Sequence, residues 1–279
     1  MKKLLASFLM VMAGLGSCVT DANAWNQRQP APLQACQVHA PYGLPQTARQ
    51  LQPICREAYL VGYDAQAKIP EFVMWTLTPQ HALGCVARSN AFVADASVQN
   101  GAVPGDYAGT GYDKGHMAPD GDQSWDQQVE YESFLMTNMA PQAGSLNRGI
   151  WKLLETSVRG WAFQLNRNFE IISGSVYAPG DKQIGKGVVV PHAFYKIVVD
   201  EGTGSVAGWM FPHTAPYPNL GNDLTKFRMP IAQIEQQAGV RFALPPNATE
   251  LAPGKEWQVD FGKLTNSKRQ LCGANASAD

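Results

Sequence analysis

The sequence predicts an α+β fold, with a central and mainly antiparallel sheet flanked by helices. Two observations carry this. Strand-like and helix-like runs do not alternate strictly, which argues against a parallel βαβ architecture. Several strand candidates are also plausible neighbours by hairpin pairing. With 279 residues and 45% apolar content the chain can bury one sizeable core. There are no repeats and no internal linker, so one domain is the simplest count.

The chain starts with a leader. Lys2 and Lys3 precede an apolar run over 4–16, and Ala22-Asn23-Ala24 fits a cleavage site before Trp25. The run is too short to span a bilayer. A second reading of the same segment is a lipoprotein site, with Cys18 lipidated. Either way the chain is expected to be exported, to the periplasm or beyond. Residues 25–57, rich in Pro and Gln, read as an irregular arm. Residues 58–279 form the main domain.

Within that domain, 58–65 and 72–79 read as a strand hairpin. Residues 80–111 are mostly loop. Residues 129–139 are ambiguous, a helical turn leading into a short strand. Ile150, Leu153, Leu154, Val158 and Trp161 recur at helical spacing over 146–161, and Ser145 can cap that helix. Strands follow at 169–177 and 192–200, and 206–214 pairs plausibly with the latter. A last helix begins near Pro230, a residue tolerated in a first turn.

Cleavage after Ala24 would remove two positive charges and one negative, taking the formal net charge from −1 to −2. That excludes a strongly basic nucleic-acid binder. Local charge differs: Arg88, Lys114, Arg148, Lys152 and Arg159 all lie in or near the segments 112–122 and 136–155. A basic cleft on a near-neutral protein suits an enzyme that releases a polyanionic product.

Four cysteines remain after cleavage, an even number that favours two disulfides in an exported chain. The favoured pairs are Cys36–Cys55, closing the arm, and Cys85–Cys272, tying down the C-terminal tail. A zinc site would need CxxC or a histidine at ligand spacing, and neither occurs.

The segment YDKGHMAPDGD carries the most chemistry. His116 sits in a Gly-flanked, charged stretch that reads as a turn. An imidazole there can take a proton from water, with Asp113 orienting the ring or the loop. A solvated histidine in an Asx-type turn explains the same residues, and residue chemistry alone leaves both open. His39, His81, His192 and His213 are isolated from other candidate ligands and read as structural or surface residues.

Asn147 and Glu155, eight residues apart on one helix face, would be separated by about 12 Å along its axis. That separation is too large for both to touch one small ion directly. Asn147 is the better direct ligand, with Glu155 acting through metal-bound water, an arrangement suited to Mg²⁺. The bland alternative makes Glu155 an i,i+4 partner of Arg159. GDKQIGKG (180–187) nearly spells a P-loop but lacks the Ser/Thr and the following helix. DGDQSWDQQVEY (120–131) fails as a calcium loop at Trp125 and Tyr131. No GxSxG occurs.

These segments resemble the DNA/RNA non-specific endonuclease family with a ββα-metal finger, the Serratia and Anabaena nuclease type. The DRGH motif stands here as Asp113-Lys114-Gly115-His116, followed by Met117-Ala118-Pro119. The TNM-P-Q segment is Thr137 to Gln142, and the N-x-G-x-W-x-x-L-E helix is Asn147 to Glu155. Weaker similarity covers Arg88 through Phe92, the SGSVY strand and VPHAFYKIVV, so the resemblance spans roughly 58–240.

The resemblance implies a metal-finger active site with Mg²⁺, or Mn²⁺ as a substitute, acting on DNA and RNA with little sequence preference. It implies His116 as general base, Asn147 as direct metal ligand and Glu155 as holder of metal-bound water. Arg88 would stabilise charge on the phosphate, and Asn138 would support His116 or the phosphate. Lys114 and Arg148 would bind substrate. Lys114 replaces the usual arginine, which keeps the charge but loses the planar fork. The rival readings are a non-catalytic nucleic-acid-binding protein on the same fold and an exported phosphodiesterase of small nucleotides.

Overall fold

The computed structural model describes residues 29–273. The leader and the Cys18 alternative lie outside the described residues.

The strands, in chain order, are β1 (Gln46–Thr47), β2 (Gln52–Cys55), β3 (Leu60–Asp64), β4 (Ile69–Leu77), β5 (Tyr112–His116), β6 (Met139–Ala143), β7 (Phe169–Val176), β8 (Gln183–Ile184), β9 (Val188–Val189), β10 (Ala193–Asp200), β11 (Ser205–Pro212), β12 (Val240–Arg241) and β13 (Thr249–Glu250). The helices are α1 (Asp120–Gln123), α2 (Gln127–Ser133), α3 (Lys152–Leu165), α4 (Ile231–Ala238) and α5 (Phe261–Cys272). Seven strands form the main sheet in the order β13-β11-β10-β7-β4-β3-β2. Its pairings are antiparallel except that of β11 with β13.

The sheet is buried on both faces, and period-two alternation sorts its side chains. Phe194 and Val198 of β10 join Trp75, Ile171 and Trp209 under α3. Tyr195, Ile197 and Val199 pack with Ile172, Met210 and the α4 residues Ile231 and Ile234 on the opposite face. The first layer carries the β5–β6 hairpin and α3, which turns Leu154, Val158 and Trp161 to the sheet.

Four local expectations change. Residues 33–55 are more ordered than an irregular arm: Leu33–His39 form a 3₁₀ helix, and β2 is the edge strand of the main sheet. Pro53 is tolerated there because an edge strand has donors to spare. The helix expected over 146–161 is in two parts. A widened π turn, Leu146–Trp151, leads into α3, and within it Gly149 takes φ −106° and ψ −118°. Ser145 does not cap it, because its hydroxyl donates to Tyr217 O at 3.0 Å. Helix α5, unforeseen, is capped by Asp260, whose carboxylate accepts from Lys263 N.

Cys36 is bonded to Cys55, holding the 3₁₀ helix to the edge strand, and Cys85 is bonded to Cys272, holding α5 to the loop before Arg88. Only Leu264 and Lys268 of α5 are buried, so the second bridge is its main anchor. Cys272→Ser should therefore speed amide exchange in α5 selectively, with a stability cost at or below the usual 2–5 kcal/mol or about that. Exchange mass spectrometry with a non-reducing peptide map checks this. Uniform exchange across α5 in both proteins would remove the anchoring role.

Candidate active site

The β5–β6 hairpin sets the site. Its register places His116 opposite Met139 and Gly115 opposite Ala140. Gly115 is required sterically: a Cβ there would lie 2.1 Å from Gln142 Oε1. Trp151 Nε1 donates to His116 O at 3.3 Å, tying the strand end to the π turn.

Asn138 braces this corner. Its Nδ2 donates to Ala118 O and Ser133 O, and its Oδ1 accepts from Ala118 N, each within 2.9 Å. Its carbonyl accepts from Met117 N. With the amide committed and the residue fully buried, Asn138 does not reach a phosphate. The support it gives His116 runs through the backbone of 117–118.

His116 ends a strand, where the sequence predicts a turn, and at 8% exposed it is not the solvated histidine of the alternative reading. Its ring packs edge-on against Phe134, centroids 4.8 Å apart, and tilts against Phe92 at 5.6 Å. Burial, with Arg88's charge as a smaller contribution, pushes its pKa well below 6.5. The imidazole is therefore neutral at neutral pH, and its Nε2 has no hydrogen-bond partner among the described residues. Asp113 does not orient this ring. It accepts from Asn147 Nδ2 at 3.0 Å and pairs with Arg148 Nε at 3.2 Å.

A cavity of about 250 Å³ opens beside the hairpin and α3. It brings together His116, Asn147, Glu155, Arg88, Lys114 and Arg148 from the expected set, while Asn138 lies behind it. Asn147, from the π turn, and Glu155, from the first turn of α3, both line this one space. Arg88 is held by Asp120 Oδ2 at 3.1 Å and Asn90 Oδ1 at 2.9 Å, with its guanidinium 4.8 Å from the Phe134 centroid. Lys114 Nζ lies 4.7 Å above Phe92.

Below the cavity is a buried charge network that sequence reasoning missed. Lys196 Nζ lies 3.6 Å from Glu155 Oε1 and 4.3 Å over the Trp151 ring. Asp122 takes hydrogen bonds from Arg159 Nη1 and Trp75 Nε1, both at 2.9 Å. Burial pushes the Glu155 carboxyl up to about 7, against the pull of Lys196 and Arg159. Lys196 had a signal in the sequence: it is a lone lysine at a core-facing position of AFYKIVVD. Asp120 and Lys152 also line the cavity.

The donor set fits a hard, hydrated cation. Asn147 Nδ2 is engaged with Asp113, which leaves the amide oxygen as ligand. Glu155 adds a carboxylate. Among the described residues no group of three His, Cys, Asp or Glu could hold a metal. An ion resting on so few protein oxygens keeps water, as Mg²⁺ does.

Comparison with known proteins agrees with this geometry. The family model for DNA/RNA non-specific endonuclease matches residues 38–249. Human mitochondrial endonuclease G is 31% identical over 221 residues, covering 73% of this chain and 72% of that protein. A nuclease of Nostoc sp. is 30% identical over 198 residues, covering 67% and 71%. A chain in the crystal structure of the EndoG/EndoGI complex superposes with TM-score 0.69 at 28% identity, covering 81% of this chain and 98% of that one. With the hairpin, the broken helix and the cavity between them in place, the chain belongs to the DNA/RNA non-specific endonuclease family.

Proposed function

We propose that this protein is an exported, Mg²⁺-dependent endonuclease that hydrolyses phosphodiester bonds in DNA and RNA. The observation that carries the reading is one cavity holding a neutral, buried histidine, a pre-oriented asparagine, a buried glutamate and several cations. Family membership supports the substrate class. The leader-like segment 1–24 supports export.

His116 takes the proton of the attacking water, and its depressed pKa keeps it in the base form. Arg88 faces the cavity with its Nε and one Nη1 contact already engaged, so the guanidinium is positioned before substrate arrives. Lys114 and Arg148 bind neighbouring backbone phosphates, which suits cutting without base readout. A bound Mg²⁺ would supply charge stabilisation at the phosphate and the leaving oxygen. Asn147 would hold it directly and Glu155 through water.

The first test is plasmid nicking with and without EDTA. Nicking that stops with chelator and returns with Mg²⁺ is expected, and nicking indifferent to EDTA would refute the metal. A protein that binds plasmid without cutting it would be the non-catalytic relative. Cleavage of small esters but not of plasmid would favour the phosphodiesterase.

His116→Ala should lower nicking by about 10²–10⁴-fold. It should also destabilise the fold by about 1–3 kcal/mol, because the ring fills a slot against Phe134. The sign with pH follows from linkage. A neutral histidine whose folded pKa lies below 6.5 contributes stability above pH 6.5 that is lost as pH falls toward the folded value. The melting-temperature gap between wild type and the variant should narrow on acidification below pH 6.5. A gap independent of pH would mean the ring titrates normally.

Asn147→Ala and Glu155→Ala should fail differently. Outer partners typically contribute about 10–100-fold in affinity or activity. Raising Mg²⁺ should therefore rescue Glu155→Ala in part and Asn147→Ala poorly. Asp113→Ala should resemble a weak form of the Asn147 variant, since Asp113 orients that amide. A Mg²⁺ titration of nicking rate decides it: recovery of the Asn147 variant alone would make Glu155 the direct ligand.

A further inference from the structure

One arm near the cleft carries chemistry that the reaction does not use. Residues 180–187, which imitate a phosphate loop in sequence, fold as the small β8–β9 hairpin, closed by Val190 N donating to Lys182 O at 2.7 Å. The arm exposes Lys182 and Lys186. Lys182 Nζ lies 3.3 Å from the Tyr112 hydroxyl and 4.9 Å above its ring. The adjacent Asp181 is engaged by His192 Nδ1 at 2.8 Å, so among the described residues Lys182 has no carboxylate partner.

Tyr217 stands beside this lysine. Its ring meets Tyr112 edge-on at 5.6 Å, and the two hydroxyls share a hydrogen bond. It is half-buried, with φ at 56°. A bulky residue adopts that left-handed backbone only where its surroundings enforce it. Part of the enforcement comes from Ser145, whose hydroxyl holds Tyr217 O.

The strip is continuous with the cleft. Ser145 lies two residues before Asn147. The Arg148 guanidinium lies on Gly144, where a Cβ would meet Nη2 at 2.0 Å. Arg148, Gly144, Ser145, Tyr217 and Lys182 are therefore linked contact by contact to the cavity, the last step running through Tyr112. Tyr112 and His116 are the two ends of β5, about 13 Å apart at the usual strand rise. A substrate must extend beyond the nucleotide being cut to reach this point.

We propose that Tyr217 and Lys182 form an outer subsite for single-stranded nucleic acid. The Tyr217 ring stacks on an unstacked base, and the Lys182 ammonium pairs with the adjoining backbone phosphate. Aromatic stacking and a cation along the backbone are the two contacts that hold single strands without reading sequence. The inference rests on the nuclease reading for its substrate, but binding tests it separately from cleavage.

The experiment measures binding of a fluorescent single-stranded oligonucleotide by anisotropy, in EDTA so that nothing is cut. Tyr217→Ala should weaken binding about 5- to 100-fold, while Tyr217→Phe, which keeps the ring, should stay near wild type. Lys182→Gln should reduce the slope of log affinity against log salt by about 0.7. With Mg²⁺ restored, the loss in kcat/KM should grow with substrate length and be smallest on a dinucleotide. Unchanged oligonucleotide affinity in Tyr217→Ala overturns the subsite. So does an equal loss of kcat/KM at every length, which marks a structural residue. Wild-type protein that binds with these variant effects yet cuts nothing would retain the subsite and remove the nuclease reading.

Discussion

A buried ammonium joins the sheet to the cleft. Lys196 rises from the middle of β10 between the rings of Trp75 and Trp151 and ends beside Glu155. The companion pair, Arg159 and Asp122, lies in the same layer and is tied to the sheet through Trp75. Breaking a buried pair by removing one partner typically costs about 3–5 kcal/mol, because the other charge is left stranded. Charge complementarity as well as apolar contact therefore fixes how α3 sits on the sheet. Everything nearer the substrate inherits that setting. Glu155 is placed directly, Trp151 carries the constraint to His116 O, and the turn at Gly149 delivers Asn147 to the same cavity.

Much of this was legible in the sequence, for identifiable reasons. The main strands and α3 show up because burial imposes period two or period 3.6 on long runs. The key polar residues show up because three motifs bring them together at characteristic spacing. What failed were side-chain destinations. Asp113 reads as orienting the His116 ring or its loop because the two are close in sequence, but residues three apart in a strand face opposite ways, and Asp113 meets Asn147 instead. Ser145 has the composition of a helix cap but serves the distant Tyr217. The 146–161 segment reads as one helix from its apolar spacing, which does not register the widened π turn that carries Asn147 ahead of α3. Helix α5 was hidden because it buries only two residues and leans on a disulfide 187 residues away in sequence.

The charge balance also makes sense at the level of single residues. The chain as a whole is slightly acidic, yet the cavity is lined by five cations, from 88, 114, 148, 152 and 159. Its three arginines are treated differently from its lysines. Arg88, Arg148 and Arg159 are each steered by an aspartate, Asp120, Asp113 and Asp122. Among the described residues, Lys114 and Lys152 have no such carboxylate. A planar guanidinium gains from being pre-aimed, because its value lies in matching two phosphate oxygens at once, while an ammonium acts as a mobile point charge. The aspartates reduce the long-range field and sharpen the local one, which favours turnover over tight retention of a polyanion.

Two phenylalanines organise the chemistry. Phe134 carries the His116 ring on its edge and the Arg88 guanidinium over its face, and Phe92 carries His116 and the Lys114 ammonium. Phe92 and Phe134 also brace each other edge-on at 5.0 Å. The apolar packing that removes water from His116 lowers its pKa, and the faces of the same rings attract the Arg88 and Lys114 cations. A polar box of hydrogen bonds could orient a histidine equally well, but it would raise the cost of keeping the ring neutral or offer partners that compete for its nitrogens. An aromatic box does neither. It leaves Nε2 without a hydrogen-bond partner among the described residues, and it accounts for how His116 and Lys114 of β5 and Arg88 of a separate loop share one wall.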